Sequence, residues 1–514
     1  MINVALSAGA DSELGFPAWL RAAHFINLLF MGLLIRSGFE ILSSHPRLYW
    51  RNDCGPGTEW IRFTKKKVPS EEGAYFARDD ECTLSPLISL PGRKNIGIAR
   101  YWHGVVTTLW ILNGLIYVVL LFGTGEWRRI VPTSWSVFPD AWESLKIYAG
   151  FGVPSLEHFQ PYDALQQLMY FTVVFIAAPL MIATGPVMSP AVVGRFPWYP
   201  KLFGGRQAAR SLHFLGMAFF AVFTVMHVTL VFVVHPDHNL TQMVLGEADP
   251  ARFAQALTMT IIGLVGVVVL WLAASYWSLS DLRRSQVIFE RLTEPIRRMT
   301  VNRLVSRQRS KQVWTEKDIS PYHWSNGRHP VGDESPEWGR LRGNDWKDYR
   351  LEIGGLVDEP VSLSLDDLRA MPRQTQITMH TCMQGWTGIA KWSGVRLKDV
   401  LDLVEKKPGA RYVKLTSFGL AQKMHGGKPL EPYYTCLPPE VVEEDETILA
   451  FDMNDKPLPL TFGAPLRLRV ESIHGYKMIK YIRSIEWVED YRTEGDGRGG
   501  TREDSSYQSF NARI

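Results

Sequence analysis

The sequence predicts a multi-domain protein, in which an all-α transmembrane helical bundle of five spans precedes a mainly β α+β soluble domain. Its 514 residues are enough for two or three domains, and 46% of them are hydrophobic. Long apolar runs fill the first 280 residues, whereas short alternating runs between Gly, Pro and Asp turns follow residue 349. These two hydrophobicity patterns indicate a membrane part and a separate soluble part.

Five stretches remain apolar over about 20 residues or more, the length that crosses a hydrocarbon core of ~30 Å. Almost no charged residue lies in the middle of any of them, which is rare for helices in the core of a soluble protein. They cover roughly residues 17–42, 101–123, 164–187, 211–235 and 256–279.

The remaining domain boundaries follow from composition. We expect a transmembrane domain over residues 1–280, a basic linker over 281–345, a soluble domain over 346–490 and a disordered tail over 491–514. Nine Lys and Arg residues stand among apolar residues between 281 and 311. Two interpretations of that segment stay open, a solvated helix and a membrane-surface helix held by anionic headgroups.

Charge and cysteine content exclude several classes of function. A net charge of +4 argues against nucleic acid as a partner, and four scattered cysteines do not form a disulfide framework. No Lys or Arg precedes Arg21, so we expect the first apolar run to stay in the membrane rather than to be cleaved as a signal. The sequence predicts a multi-pass inner-membrane protein that contacts lipid, and leaves a homo-oligomer open.

The distribution of basic residues predicts the orientation. One side of the five spans carries 4 basic residues and the other carries 23, and the second side includes the soluble domain. The positive-inside bias therefore favours a cytoplasmic soluble domain.

Four histidines lie inside the predicted spans, where an ionisable side chain is costly and usually functional. His213 and His227 are 14 residues apart in one span, which is about 21 Å along a helix and close to a whole number of turns. Depth in the membrane sorts the four into two pairs, His103 with His213 and His24 with His227. Such pairs can ligate two haems b, although a single His is also compatible with a packing role. His45, His158, His235 and His238 are interpreted as ordinary surface or interfacial residues.

The membrane part resembles the cytochrome b subunits of nickel-iron hydrogenases and formate dehydrogenases. The resemblance rests on the run from Arg21 to Phe25 (RAAHF), on Ser37 and Gly38, and on the paired histidines of span four, and it covers about residues 17–280. It implies two haems b held by the four histidines and a quinone that reacts beside one of them. Two features depart from that family: a long loop between spans one and two, and the reversed charge distribution.

In the soluble part, Cys382 comes just after the predicted short strand TQITM, with His380 and Thr381 between them. A lone cysteine is most often a buried structural thiol, but a thiolate is also a suitable soft ligand for a heavy transition metal. Farther on, Arg467, Arg469, Lys477 and Lys480 lie near glycines, where basic side chains and close backbone favour phosphate binding.

This part resembles the sulfite oxidase superfamily of molybdopterin enzymes, and most of all the catalytic subunits of periplasmic methionine-sulfoxide reductases. The matching blocks, in order, are IGGLVDEP, HTCMQGWTG, WSGVRLKDVL, ILAFDMNDKPLP, FGAPLRLRV and GYKMIKYIRSIEW. The resemblance implies that Cys382 is the catalytic thiolate on molybdenum. It also implies contacts of one molybdopterin and its phosphate with Asn326, Ser417, Arg467, Met478, Ile479 and Lys480. Phe462 replaces an Asn of the relatives, and the Cys motif departs from that of sulfite oxidases.

The two resemblances together imply a membrane-bound molybdenum oxidoreductase that couples the quinone pool, through two haems b, to oxygen-atom transfer. We expect reduction of an S- or N-oxide type substrate. Two alternatives stay open: a quinone-reducing dehydrogenase for a sulfite-like oxyanion, and a metal-free docking domain on an electron-transfer cytochrome b.

Overall fold

The computed structural model describes residues 16–69, 75–150, 152, 163–247, 249–299, 312–331, 335–420, 431–507 and 510. The basic residues of the linker at 303–311 lie outside the described residues, and so does the loop histidine His158. Among the described residues, five helices are long and apolar enough to cross a membrane, which fits a multi-pass membrane protein. The helices up to residue 299 are α1 Ala18–Ser43, α2 Ile96–Gly123, α3 Val137–Ala149, α4 Ala164–Val187, α5 Pro190–Arg195, α6 Arg206–Val233, α7 Pro236–Leu240, α8 Phe253–Ser280 and α9 Leu282–Met299.

The five predicted spans are confirmed, but two of them begin earlier than hydropathy indicates. Helix α2 begins at Ile96 and α6 at Arg206, each about one turn or more before the predicted span. The reason is that the added turns carry arginines whose N–H groups bind backbone carbonyls of the soluble domain. A hydropathy window ends at such charges, whereas the helix continues past them.

Helix α9 follows α8 after Asp281 alone and joins the two domains. Its buried Phe289 packs on Trp102 of α2, with ring centroids 5.1 Å apart, and stacks on Tyr101. On the other side, Glu290 pairs with Arg498 of the C-terminal segment at 3.0 Å. The helix is thus fixed to the bundle by its apolar face and to the soluble domain by its polar face.

Over its described residues, the soluble domain contains two five-stranded sheets. The strands are β3 Arg350–Gly355, β4 Val361–Ser364, β5 Arg373–Thr381, β6 Thr387–Arg396, β7 Tyr412–Leu420, β8 Pro432–Leu437, β9 Ile448–Met453, β10 Lys456–Pro457, β11 Arg467–Arg469 and β12 Ile482–Val488. Sheet one has the order β10-β9-β6-β5 with β11 on β9. Sheet two has the order β4-β3-β12-β7-β8; its β3–β12 pair is parallel and its other described pairs are antiparallel. Its short helices are α10 Pro336–Gly343, α11 Leu365–Ala370, α12 Leu397–Leu401, α13 Pro439–Val442 and α14 Thr501–Asp504.

Alternation along the strands builds the core of this domain. Leu351 and Ile353 of β3 are buried while Arg350 and Glu352 point outward, the pattern of a half-buried strand. With Val413, Leu468 and Ile485 from other strands they form one continuous apolar cluster. The predicted mainly β α+β class is confirmed.

The long loop between α1 and α2 packs on the soluble domain rather than extending into solvent. It contains a short hairpin, β1 Arg47–Leu48 with β2 Ile61–Arg62. Its Tyr49, Cys54 and Ala77 form one buried cluster with Cys382 and with Trp324 and Trp386 of the soluble domain. His45, expected at the surface, is fully buried in this loop because Tyr49 and Trp324 pack around its ring.

The C-terminal segment is folded against the domain over its described residues, so the expectation of a disordered tail is wrong there. The amide of Cys436 donates to the carbonyl of Gly499 at 2.9 Å. Glu503 of α14 forms a buried ion pair with Lys477, and burial raises the pKa of this carboxyl. A Gly- and charge-rich composition suggests disorder. The segment is nevertheless held by Lys477, which lies outside it, so its local composition does not reveal the ion pair.

We predict that this ion pair controls protection of the tail from trypsin, which can cut at Arg498 and Arg502. Substituting Lys477→Met leaves the buried carboxylate of Glu503 without a partner, at a cost of about 3 kcal/mol. Cleavage of the opened segment should then accelerate by on the order of a hundredfold, measured by mass spectrometry of a digestion time course. Lys398→Ala, which breaks the exposed ion pair with Glu443, should leave the rate unchanged. Rapid cleavage of the unmodified protein at both arginines would contradict the folded tail.

Candidate functional site

Cys382 lies in the tight turn that joins β5 to β6. The turn closes with two backbone hydrogen bonds, from the amide of Gly385 to the carbonyl of Cys382 at 3.0 Å and from the amide of Cys382 to the carbonyl of Trp386 at 3.1 Å. Gly385 has φ +114°, a conformation that favours glycine. A nine-residue antiparallel ladder between β5 and β6 holds the base of this turn, so the position of the thiol is rigidly defined. We call residues 382–387 the Cys382 loop.

The thiol of Cys382 is buried and faces polar amide groups. Asn326 Nδ2 lies 3.4 Å from Cys382 Sγ and donates to Gln384 Oε1 at 2.8 Å. Burial raises the pKa of the Cys382 thiol to about 12. A free thiolate is therefore costly here, and a bound metal cation is the kind of partner that removes the proton from a coordinating thiol.

Gln384 connects this site to the long loop of the membrane domain. Its Oε1 also accepts from Trp386 Nε1 at 3.1 Å, while its Nε2 donates to Glu81 Oε1 at 2.6 Å. Burial raises the pKa of the Glu81 carboxyl. Each amide atom of Gln384 thus has a defined partner, which fixes the orientation of the side chain beside the thiol.

The buried Arg467 and the half-buried Lys480 form a basic pair near Asn326. They face each other across an antiparallel bridge, and Lys480 Nζ donates to the carbonyls of Gly327 and Thr461 at 2.8 and 2.9 Å. Desolvation, with Arg467 beside it, holds the pKa of Lys480 well below its ordinary value. Among the described residues, neither side chain pairs with a carboxylate within 4 Å, so an anionic ligand, which would also favour the charged form of Lys480, would complete this site.

The other predicted site residues lie next to this pair and hold the backbone around Lys480 in place. Ser417 Oγ donates to the carbonyl of Lys480 at 2.7 Å and accepts from the amide of Gly419 at 2.9 Å. Ile479 packs in the main core, and its carbonyl accepts from the amide of Leu468 at 2.8 Å. Met478 is also buried. Ser417 and Ile479 therefore position Lys480, and a ligand would meet Met478 and Ile479 through their backbone.

An aromatic wall closes the space between the thiol and the cations. His323 packs against Trp386, Trp392 and Phe462, with ring centroids 5.5 to 6.1 Å away. Burial lowers the pKa of His323 to about 3, so its ring is neutral. Phe462, which replaces an Asn of the resembling enzymes, packs with Trp392 in a small apolar cluster.

The donor set fits a molybdenum cofactor bound through one pterin. A soft sulfur stands at one end, and two cations without carboxylate partners stand at the other, where a phosphate would lie. Two buried atoms of this region, Asn326 Oδ1 and Arg467 Nε, have no hydrogen-bond partner in the part of the chain that the structure describes. Buried polar atoms are normally satisfied, so these atoms indicate space for a polar ligand.

The four intramembrane histidines lie in two facing pairs. The ring centroids of His103 and His213 are 6.2 Å apart, and those of His24 and His227 are 6.0 Å apart. With metal–nitrogen bonds of about 2 Å and a ring centroid roughly 1 Å beyond each nitrogen, two imidazoles on one metal have centroids about 6 Å apart. Both pairs therefore have the separation that one iron atom between them requires.

Hydroxyl groups orient three of these rings. Ser37 Oγ lies 2.9 Å from Nδ1 of His103, Thr184 Oγ1 lies 2.9 Å from Nδ1 of His213, and the Tyr170 hydroxyl lies 3.4 Å from Nδ1 of His227. Because Nδ1 is occupied, Nε2 is left to bind a metal, as is typical of ligating histidines. The residues fit two haems, one in each pair.

The Cys382 loop contacts the ends of α2 and α6 directly. Arg100 Nη1 donates to the carbonyl of Met383 at 3.2 Å. Arg206 Nη1 and Gln207 Nε2 both donate to the carbonyl of Gly385, at 3.0 and 2.8 Å. The helices that carry His103 and His213 therefore hold the loop that carries Cys382.

Sequence reasoning did not identify these contacts. Arg100, Arg206 and Gln207 stand at the ends of apolar runs, where a basic residue is usually interfacial. One signal was available: an Arg stands three residues before a His in RAAH, RYWH and RSLH, at positions 21, 100 and 210. Residues at this spacing share a helix face.

Fold and site together define a membrane-embedded b-type cytochrome joined to a molybdopterin-type oxidoreductase domain. Residues 15–246 match the family model described as prokaryotic cytochrome b561, and residues 339–495 match the oxidoreductase molybdopterin binding domain. The N-terminal part of the chain is therefore similar to the first family and the C-terminal part to the second.

Individual relatives match parts of the chain. A putative protein-methionine-sulfoxide reductase subunit YedZ1 of Azospira oryzae is 34% identical over 170 residues, covering 33% of this chain and 58% of the relative. The protein-methionine-sulfoxide reductase catalytic subunit MsrP of Xanthomonas axonopodis pv. citri is 35% identical over 145 residues, covering 27% of this chain and 45% of the relative. The chain thus spans about half the length of the curated relatives it matches. The sulfane dehydrogenase SoxCD from Paracoccus pantotrophus is 25% identical, covering 30% of this chain and 42% of that chain, with a TM-score of 0.25.

Proposed function

We propose that the protein oxidises a membrane quinol and uses the electrons, through two haems b, to reduce an S- or N-oxide at a molybdenum centre on Cys382. For a sulfoxide the overall change takes two electrons and two protons, releases the oxygen as water and leaves a thioether. The names of the relatives support a sulfoxide, since both are described as parts of protein-methionine-sulfoxide reductases.

One observation supports this proposal above all: the helices that carry His103 and His213 form hydrogen bonds with the Cys382 loop. Arg206 lies seven residues before His213 on α6 and donates to Gly385, three residues after Cys382. No diffusing partner is needed between two redox centres that share such a contact. The arrangement favours electron exchange within one chain over a docking role for the soluble domain.

When bound, the haems supply one-electron transfer and the molybdenum cofactor supplies oxygen-atom transfer; the protein supplies binding and orientation. Cys382 would hold the metal, and Asn326 donates toward its sulfur. Arg467 and Lys480 would bind the anionic end of the pterin, while the Ser417 hydroxyl fixes the backbone of Lys480. Tyr49, Trp324 and Trp386 belong to the same buried cluster as Cys382, which would keep water from the thiol.

The soluble domain would lie on the cytoplasmic side. The basic residues of the α1–α2 loop, of the segment before α6 and of α9 lie at the end of the bundle that contacts the soluble domain. The positive-inside bias supports this orientation. Quinol would then react near the His24/His227 pair, at the opposite end.

We predict that Cys382→Ser abolishes reduction of methionine sulfoxide and lowers the molybdenum content below one per chain. The cause is replacement of a soft sulfur ligand by a hard oxygen. Turnover with a quinol and elemental analysis measure the effect, while the haem absorption band should stay unchanged. Cys436→Ser is the matched control, because Cys436 is also buried but lies on β8, away from the site. Full turnover by Cys382→Ser would contradict a molybdenum centre on Cys382, whereas no turnover and no molybdenum in the unmodified protein would leave the soluble domain as a docking module.

We predict further that the two histidine pairs bind one haem each. His213→Ala and His227→Ala should each halve the haem content per chain, and the double variant should have none, because an iron atom loses one of its two axial ligands. Pyridine haemochrome assay of purified protein measures this content. His238→Ala, at the end of the bundle, should retain all of it. A loss of both haems in each single variant, with normal folding, would contradict two independent sites.

A further inference from the structure

Three arginines stand between the His103/His213 pair and the Cys382 loop. Arg100 belongs to α2, and Arg206 and Arg210 belong to α6. Arg206 and Arg210 are 3% and 7% exposed. Among the described residues, none of the three forms an ion pair with a carboxylate within 4 Å.

Backbone carbonyls satisfy only part of these guanidinium groups. Arg210 donates to the carbonyls of Arg47 and His45 at 2.7 and 2.8 Å, and Arg206 donates to those of Met188 and Gly385 at 3.3 and 3.0 Å. Arg206 Nε is buried and has no hydrogen-bond partner among the residues that the structure describes. Two buried cations and the half-buried Arg100 repel one another, and with an unsatisfied N–H among them they constitute a site for an anion.

The spacing relates this site to the histidine pair. Arg100 precedes His103 by three residues, and Arg210 precedes His213 by three residues, so each Arg lies on the face of its ligand about one turn toward the helix N-terminus. Both N-termini lie at the end of the bundle that contacts the soluble domain. A haem between the two histidines carries two carboxylates at one edge, and these are costly to bury unless cations receive them.

We propose that Arg100, Arg206 and Arg210 form an anion site that receives the two carboxylates of the haem held by His103 and His213. This inference rests on the proposed function, since it requires a haem in that pair. The guanidinium groups of Arg100 and Arg206 also donate to carbonyls of the Cys382 loop, so these two side chains would link the edge of the haem to the molybdenum site. They are positioning residues for electron transfer.

A test uses the full chain with His227→Ala, which leaves the His103/His213 haem alone. In that background Arg206→Gln should lower the haem midpoint potential, because a nearby cation stabilises the more negative, reduced haem. We expect a roughly tenfold change in the oxidised-to-reduced ratio at fixed potential, which is 59 mV for one electron. Arg206→Lys, which keeps the positive charge, should keep the midpoint potential close to that of the protein with Arg206. Arg21→Gln, which removes a cation at the other end of the bundle, should have no effect.

A second measurement separates carboxylate binding from a merely nearby charge. Haem labelled with carbon-13 in its two carboxylates gives infrared redox-difference bands that report their hydrogen bonding. Arg206→Gln and Arg100→Gln should each shift those bands in protein that retains full haem content. If neither substitution shifts the bands, the inference is overturned, even if the haem midpoint potential changes.

The anion could instead be a free oxyanion, and inorganic phosphate tests that source. The inference predicts that phosphate leaves the potential of the unmodified protein unchanged, because the haem carboxylates already fill the site. A saturable shift with phosphate, together with insensitive carboxylate bands, would assign the site to a free anion and overturn the inference. Absence of haem from the His103/His213 pair would instead refute the proposed function itself.

Discussion

The hydrogen bond from Arg206 to the carbonyl of Gly385 is the constraint on which the rest of the arrangement depends. A hydrogen bond to a charged donor contributes about 1.5–3 kcal/mol, and Gln207 and Arg100 add two more donors to the same loop. Together they fix the distance between a membrane helix that carries a histidine pair and the loop that carries Cys382. Two domains with separate cores are thereby joined at the loop that carries Cys382.

Several features of the sequence serve this contact. Gly385 adopts positive φ, and a Cβ on it would lie 2.9 Å from Arg210 Nε, so a larger residue would both strain the turn and displace the arginine. The α1–α2 loop encloses the same region: Thr387 Oγ1 donates to the carbonyl of Asn52 at 2.7 Å, and the Cys54 thiol lies 3.4 Å from that hydroxyl. Membrane loop and soluble domain therefore share one buried interior around the thiol.

The sequence predicted the structural features that depend on local residue patterns. It did not predict those that depend on contacts between residues distant in the chain. Length and hydropathy gave the five spans, and alternation gave strands such as Arg350–Gly355 and Ile482–Val488. Depth in the membrane sorted the histidines into the pairs that face each other. The starts of α2 and α6, the burial of His45 and the folded tail were missed, because each depends on a partner more than 20 residues away in the chain.

The same distinction applies to the site. Cys382, Asn326, Arg467 and Lys480 belong to motifs that residue type and resemblance made visible, and the structure brings them to one end of the sheets. Ser417 and Ile479 act on the backbone of Lys480 and its neighbours rather than facing the thiol. Glu81, Arg100 and Arg206 reach the site from the membrane domain, and no motif of the soluble domain could indicate them.

Under the proposed function, electrons pass between the two centres within one polypeptide. The most direct measurement is the rate of haem b reoxidation after fully reduced protein is mixed with methionine sulfoxide, recorded over a dilution series of the protein. A first-order rate that is independent of protein concentration is the predicted result. A rate that falls in proportion to dilution would show transfer between separate molecules and contradict the account.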